Sequence, residues 1–510
     1  MKNYYSTIFF FFIIHNFVNA QTTFQKTFSG VAYARGKCVQ QTSDGGYIIV
    51  GNTYGSFIGG GYAVKTNSNG DTTWTKIFQY GGGNLVGETA SGFSFIVNPF
   101  MVYTNSNGDT ISTKPMFGPL NALFGFESFS FYPGDTNFLA IGTTQSLPNN
   151  KDFFFVSNGT TYPSYGTTNL EYGSSVQWAY GGGVIMVGTT RDFFWNSSDI
   201  YLIRVYSPFL TLWTKAYGGS RFESGKYVIR TNDGGFMILG EICDSLSKPN
   251  DILLIKTDSN GDSLWSKEYG DIGDEKGNFI EQTSDGGYVV IGSSTSFGAT
   301  DTDIFVIKTD SLGNVLWSKI YGGYGEDIGE YIQETTDGGY AILGTTDTSG
   351  VGYSHIYFIK TDANGNSGCL ESNVSFPVTS PSLIKSTPTT ITGLPGGAGT
   401  PYLYHIIIGG GGTYNSLCFN VGLKQNDHDL EFSIYPNPSS GNMSLKWTQE
   451  NFKPALIEIY NSLGKIVFIK KIRNYSTSSI LDINLDAQPG FYLVQIIIDD
   501  KQFIKKLTIE

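Results

Sequence analysis

The chain has 510 residues and a formal net charge of −12, with 65 Gly, 37 Phe, 32 Tyr and only 15% charged residues. That length exceeds one ordinary hydrophobic core and implies two or three domains. The Gly and aromatic content suits short strands joined by tight turns rather than helices; the acidic balance argues against a nucleic-acid or anionic-membrane surface, which needs clustered Lys and Arg.

Residues 1–20, MKNYYSTIFFFFIIHNFVNA, have the pattern of a signal peptide: Lys2 at the charged end, an apolar run at 8–14, and Val18-Asn19-Ala20 as a small-residue cleavage site. The apolar run is short for a bilayer span, and a retained anchor helix is the alternative. No later stretch reaches the roughly 18 apolar residues a spanning helix needs, so no membrane span is expected in the mature chain.

Residues 21–370 are built from a repeat. TSDGGYIIVG, TNDGGFMILG, TSDGGYVVIG and TTDGGYAILG place Tyr47, Phe236, Tyr288 and Tyr340 in one register, and weaker copies place Phe93, Phe138 and Val184 there. A second half follows, as in KTNSNGDTTWTKIF, RVYSPFLTLWTKAYGG and KTDSLGNVLWSKIYGG. DGG divides the first two apolar segments, a variable loop the middle two, and Asn-Gly or Leu-Gly the last two; Asn-Gly between apolar runs is a strong hairpin signal. Four antiparallel strands per unit, repeated seven times, predict a seven-bladed β-propeller in an all-β chain, with a stacked β-solenoid as the competing repeat architecture. The last unit has Cys369 where others have Trp, while residues 23–30, TFQKTFSG, are similar to WSKIYGG. The N-terminal strand is therefore predicted to complete the last blade, with Phe24, Lys26 and Phe28 standing where Trp317, Lys319 and Tyr321 do.

From 371 to 430 the repeat is lost and Ser, Thr, Pro and Gly accumulate, which reads as a linker; YLYHIII at 402–408 is a candidate strand within it. Residues 431–510 return to alternating strands broken by turn residues and read as a small C-terminal β-sandwich. Tyr435-Pro436-Asn437-Pro438, then Gly464 in IYNSLGK, then Gly490 and Tyr492 in PGFY, and a closing Lys-rich strand follow in order. This succession resembles the type A C-terminal sorting domain of the Bacteroidetes type IX secretion system. The resemblance implies export across the outer membrane, the secretion machinery as partner, and an extracellular or outer-membrane surface location. An ordinary adhesive sandwich is the alternative.

No GxSxG, HExxH or paired CxxC occurs, and the mature chain holds only His355, His405 and His428, so no catalytic residue, metal site or cofactor is assigned. Asp258, Asn260 and Asp262 mimic the start of a calcium loop but read better as a hairpin turn. Asp152, Asp199, Asp251 and Asp303, with His355 in the last unit, recur before the third strand, either as loop caps or as a ring of cation ligands. The loops at that end vary most, and variable loops on a rigid frame are where binding usually sits. Phe193, Phe194 and Trp195 are the candidate contacts for a glycan or an extracellular protein, with burial between blades as the alternative. The competing function is a secreted glycan-active hydrolase using paired carboxylates on that face. Of the four cysteines, Cys369 and Cys418 are the preferred disulfide pair, against four buried thiols.

Overall fold

The computed structural model describes residues 21–29, 33–54, 60–79, 82–97, 100–115, 126–131, 138–143, 151–157, 160–161, 164–192, 197–207, 210–245, 249–297, 301–323, 325–347, 354–388, 391–393, 408–409, 414–419, 432–437, 442–447, 455–461, 466–472, 480–485, 488, 490–498 and 501–509. Residues 1–20, the expected signal peptide, lie outside them. Among the described residues every regular element is a strand, and all pair antiparallel except one parallel bridge between Ser198 and Phe222.

The repeat fixes the local structure. Around Tyr288, Glu275–Gln282 leads into the DGG turn and Tyr288–Ser294 returns; Asp303–Thr309 follows the variable loop, and Val315–Tyr321 returns from the Leu-Gly turn. Gly286 has φ 81° and Gly313 has φ 74°, conformations that strain any side chain. Asp310 Oδ1 accepts the N–H groups of Leu312 and Asn314, closing the second turn.

The same four-strand meander recurs from Tyr33 to Gln79, Gly83 to Pro115, Phe126 to Gly166, Leu170 to Gly218, Phe222 to Tyr269 and Glu275 to Tyr321. In the last unit Asp327–Glu334, Tyr340–Thr346 and His355–Thr361 take their fourth strand from the N-terminus. Phe24–Phe28 pairs with His355–Thr361, Phe24 opposite Lys360 and Phe28 opposite Ile356.

Successive units interlock through repeated side chains. Trp213, Trp265 and Trp317 each cover a turn glycine of the next unit, Gly261, Gly313 and Gly365, where a Cβ would come within 2.9 Å of the indole. Phe24 covers Gly70 of the first unit in the same way, and Lys26 pairs with Asp71 at 2.6 Å. The cores are shared across unit boundaries: Val290, Phe305 and Ile307 pack with Leu239 and Leu254, while Ala341, Leu343 and Phe358 of the last unit pack with Ala34, Val39 and Ile49 of the first. The first strands of neighbouring units also touch in series, and Tyr33–Gln41 touches Asp327–Glu334.

The stretch 371–430, expected as a linker, differs in its described parts. Glu371–Asn373, Val378–Thr379, Ile384–Ser386, Ile391–Gly393, Ile408–Gly409 and Tyr414–Phe419 each add a strand to the outer edge of a different four-strand unit, two of those units being joined in one ten-stranded sheet. An exposed edge offers unpaired N–H and C=O groups that any extended segment satisfies. Pieces of two to six residues between prolines and glycines leave too little periodicity to be read as strands.

The tail forms two sheets. Phe432–Tyr435, Asn442–Trp447 and Ile480–Asn484 make one; Ile466–Ile472, Ala455–Asn461, Gly490–Ile498 and Lys501–Ile509 make the other. Leu445, Ile457, Ile459, Val494, Ile496 and Leu507 close a core of their own between them.

Candidate functional site

Two residue levels at the DGG ends of the first strands face a common space. At the deeper level Phe279 lies 4.7 Å from the Tyr227 ring and 4.0 Å from the Tyr331 ring, with buried Cys38 also facing the space. Above this aromatic floor opens a cavity of about 780 Å³.

Its wall is polar because the residue two places before each T-x-D-G-G turn is often an amide or acid. Gln333 Oε1 accepts the N–H of Gln41 at 2.7 Å, Gln40 Oε1 that of Glu88 at 3.2 Å, and Glu281 Oε2 that of Glu334 at 2.8 Å. Gln177 takes a hydrogen bond from Ser130 and donates one to the Tyr227 hydroxyl. Each side chain is thereby held by another unit, which makes the wall preorganised. Burial pushes the Glu281 carboxyl up to about 7, against the Glu334 N–H and with help from the Glu334 charge.

At the rim Glu88 accepts both the N–H and the hydroxyl of Ser43, and the Arg230 guanidinium lies 4.8 Å over the ring of Tyr180. Tyr180 is 49% exposed, a large aromatic left open on a ligand-sized opening.

At the other end of the sheets, Asp152, Asp199, Asp251 and Asp303 sit against Gly166, Gly218, Gly270 and Gly322. A Cβ on any of these glycines would fall 1.9–2.1 Å from the Asp Oδ1. An acid from the next unit lies near each, namely Glu171, Glu223, Glu275 and Asp327. Burial raises Glu171, Glu223 and Asp327 to about 7. Asp152, Glu171, Glu223, Glu275 and Asp327 are buried while Asp199, Asp251 and Asp303 are half-buried, and His355 Nδ1 meets Ser29 Oγ at 3.1 Å at the equivalent place. Asp258 Oδ1 accepts the N–H groups of Asn260 and Asp262, so that loop is a hydrogen-bonded turn. Among the described residues no group of three or more His, Cys, Asp or Glu is placed to hold a metal ion.

Of the residues singled out in the sequence, Phe193, Phe194 and Trp195 lie outside the described residues, as do Pro438 and Gly464. Tyr435 is 43% exposed; Asn437 Oδ1 accepts the N–H of Thr508; Tyr492 is buried, its hydroxyl donating to Gln488 O; Gly490 opens the strand Gly490–Ile498. Cys369 is disulfide-bonded, and Cys38 and Cys243 are free and buried. The cavity residues escaped the sequence reading, although the Gln or Glu recurring at the end of the first strands at 40, 177, 281 and 333 was a usable signal.

Residues 433–510 match the family described as the secretion system C-terminal sorting domain. That match supports a type IX secretion substrate, exported to the cell surface or the extracellular space. No curated protein matches the sequence. Among solved structures the chain is similar, at 9% identity and a TM-score of 0.38, to PorZ, an essential surface component of the type-IX secretion system of Porphyromonas gingivalis. The alignment covers 92% of this chain and 58% of that one, so this chain spans little more than half the length of that protein. A hypothetical protein from Leishmania major aligns at 15% identity and a TM-score of 0.26 over 49% of this chain and 89% of its own. A eukaryotic initiation factor aligns at 9% identity and a TM-score of 0.29 over 72% of this chain and 98% of its own.

Proposed function

We propose that the protein is a secreted or cell-surface ligand-binding β-propeller, led out by a signal peptide at 1–20 and by the tail from 431. Seven blades between residues 21 and 370 are supported by the recurring meander, by the cores shared from each unit to the next, and by Phe24 and Lys26 linking the last unit to the first. Closure of this kind leaves no open face between the first and last blades.

The observation that carries the binding role is the funnel at the DGG ends of the blades. Its amides offer donors and acceptors together, its floor and rim offer aromatic faces, and its volume suits one or two rings of a sugar. The ligand is a glycan end, received here rather than on the variable loops. Hydrolysis is not favoured: Glu88 and Glu281, the carboxylates lining the funnel, hold N–H groups of other units, and each acidic pair at the opposite end has a buried member, Glu171, Glu223, Glu275 or Asp327.

A glycan array with the full-length secreted protein, followed by calorimetry, tests this reading. Tyr180→Ala should weaken the best glycan at least tenfold with an unchanged melting temperature. Equal affinity in that variant, or capture of an extracellular protein and no glycan, overturns it.

A further inference from the structure

We propose that the strands at 371–373, 378–379, 384–386, 391–393, 408–409 and 414–419 form a belt along the outer edges of the blades, clasped by a disulfide between Cys369 and Cys418; the inference rests on the ring of blades proposed above. On the outer strands Tyr321, Tyr269, Tyr217 and Tyr165 stand opposite Glu371, Val378, Lys385 and Thr392. The tyrosines step back by one repeat each time, while their partners step forward by seven residues each time. The chain therefore passes from blade to blade in reverse order, one blade per seven residues. A second contact keeps the same beat. Ser318 Oγ donates to Val374 O at 2.7 Å, Ser266 Oγ to Pro381 O at 2.9 Å, and Thr214 Oγ1 to Pro388 O at 2.7 Å.

Seven extended residues span about 23 Å, enough to run along one blade edge and cross to the next. Further on, Ile408 stands opposite Phe78 of the first blade, and Tyr414 opposite Phe28 of the strand that closes the last. The belt thus ends on the blade beside which it began. The two ends meet at one residue: Gln25 donates to Cys369 O, and its backbone stands opposite Cys418. Cys369 is disulfide-bonded while Cys38 and Cys243 are free, and the sequence has four cysteines, so Cys418 is the partner left within the chain.

Closure converts two thiols into one disulfide. An external protein disulfide takes the two electrons and leaves as two thiols, by successive thiolate attacks through a mixed disulfide. The belt then stays open under reducing conditions and locks where such an oxidant is met. Cys418 also lies before the tail, so loss of the tail leaves the belt's end fixed.

Non-reducing peptide mapping of the full-length protein should yield one linked pair containing Cys369 and Cys418. Hydrogen exchange should show protected amides across 371–386. On mild reduction, or in Cys418→Ser, that protection should fall at least tenfold while the strands from 236 to 309 stay protected. Linkage of Cys369 to Cys38 or Cys243 overturns the proposal, as does coil-like exchange across 371–386 in the oxidised protein. Fast exchange throughout 236–309 would instead sink the ring reading, and the belt with it.

Discussion

The DGG aspartates show how a turn residue also holds a core. Asp44, Asp233, Asp285 and Asp337 pair with Lys65, Lys256, Lys308 and Lys360, whose side chains are almost fully buried. Burial works against the Asp285 charge, but the bonds from Lys308, Thr283 and Gly287 outweigh it and lower the carboxyl to about 2. Asp285→Asn should therefore lower stability by roughly 2 kcal/mol in chemical denaturation, because it leaves a buried ammonium without its counter-charge. The depressed carboxyls of Asp44, Asp233 and Asp285 contribute stability above the usual carboxylate range that is lost as pH falls towards about 2. Glu171 works in the opposite direction. Its folded value near 7 lies above the usual one, so its share of stability is complete below about pH 4.5 and is lost as pH rises through 7. Glu171→Gln should raise the melting temperature at pH 8, by up to about 3 kcal/mol in free energy, and flatten the slope between pH 5 and 8. A steeper slope in the variant would count against enclosure of this acid. The aspartates were legible as turn residues, but the lysines were not legible as their partners. They stand 21 to 23 residues further on, and only the returning hairpin brings the two together.

Among the elements, the N-terminal strand was legible because its residue types match a gap in the last repeat. Phe24, Gln25, Lys26, Thr27 and Phe28 are all buried, with Phe24 5.2 Å from the Phe358 ring. Removing residues 21–29 bares His355–Thr361 and the first unit at once, and should lower the melting temperature by more than 10 °C; Phe24→Ala, a buried aromatic truncation, should cost about 3–5 kcal/mol. An unchanged melting temperature in the deletion would mean that the ring does not depend on this closure. The belt was not legible for a related reason. Its strands are set by the spacing of blade edges, not by an apolar alternation of its own. What the sequence does carry is proline at 381, 388 and 395, the seven-residue beat without the strands. The loop between Cys369 and Cys418 is about 50 residues, and closing it should contribute roughly 4 kcal/mol by the chain-entropy relation. Cys369→Ser measured against the oxidised parent in denaturant checks that figure.

At the scale of the whole molecule, two kinds of β-structure serve two ends. The repeat units share their cores with one another, so none is complete alone, whereas the tail closes its own core around Leu445, Ile459, Val494 and Leu507. A domain with its own core folds without the rest of the chain. The order of its turn motifs made this tail the most legible part of the sequence, because its strand breaks carry Pro, Gly or Asn, or in the last case the pair Asp499-Asp500. The cavity was the least legible, since it is composed of single residues from separate units that only the packing of one unit on the next brings together. Separate cores predict separable functions. Deleting residues 431–510 should leave the remaining protein folded, with an unchanged melting transition for the repeat units, but held in the periplasm of a host with a type IX system. Joining the same residues to an unrelated periplasmic reporter should carry that reporter to the surface or the medium, as fractionation and immunoblotting would record. If the shortened protein still reaches the outside, the tail is not what directs export, and its exposed Tyr435 and the neighbouring Asn437 belong to a binding surface instead.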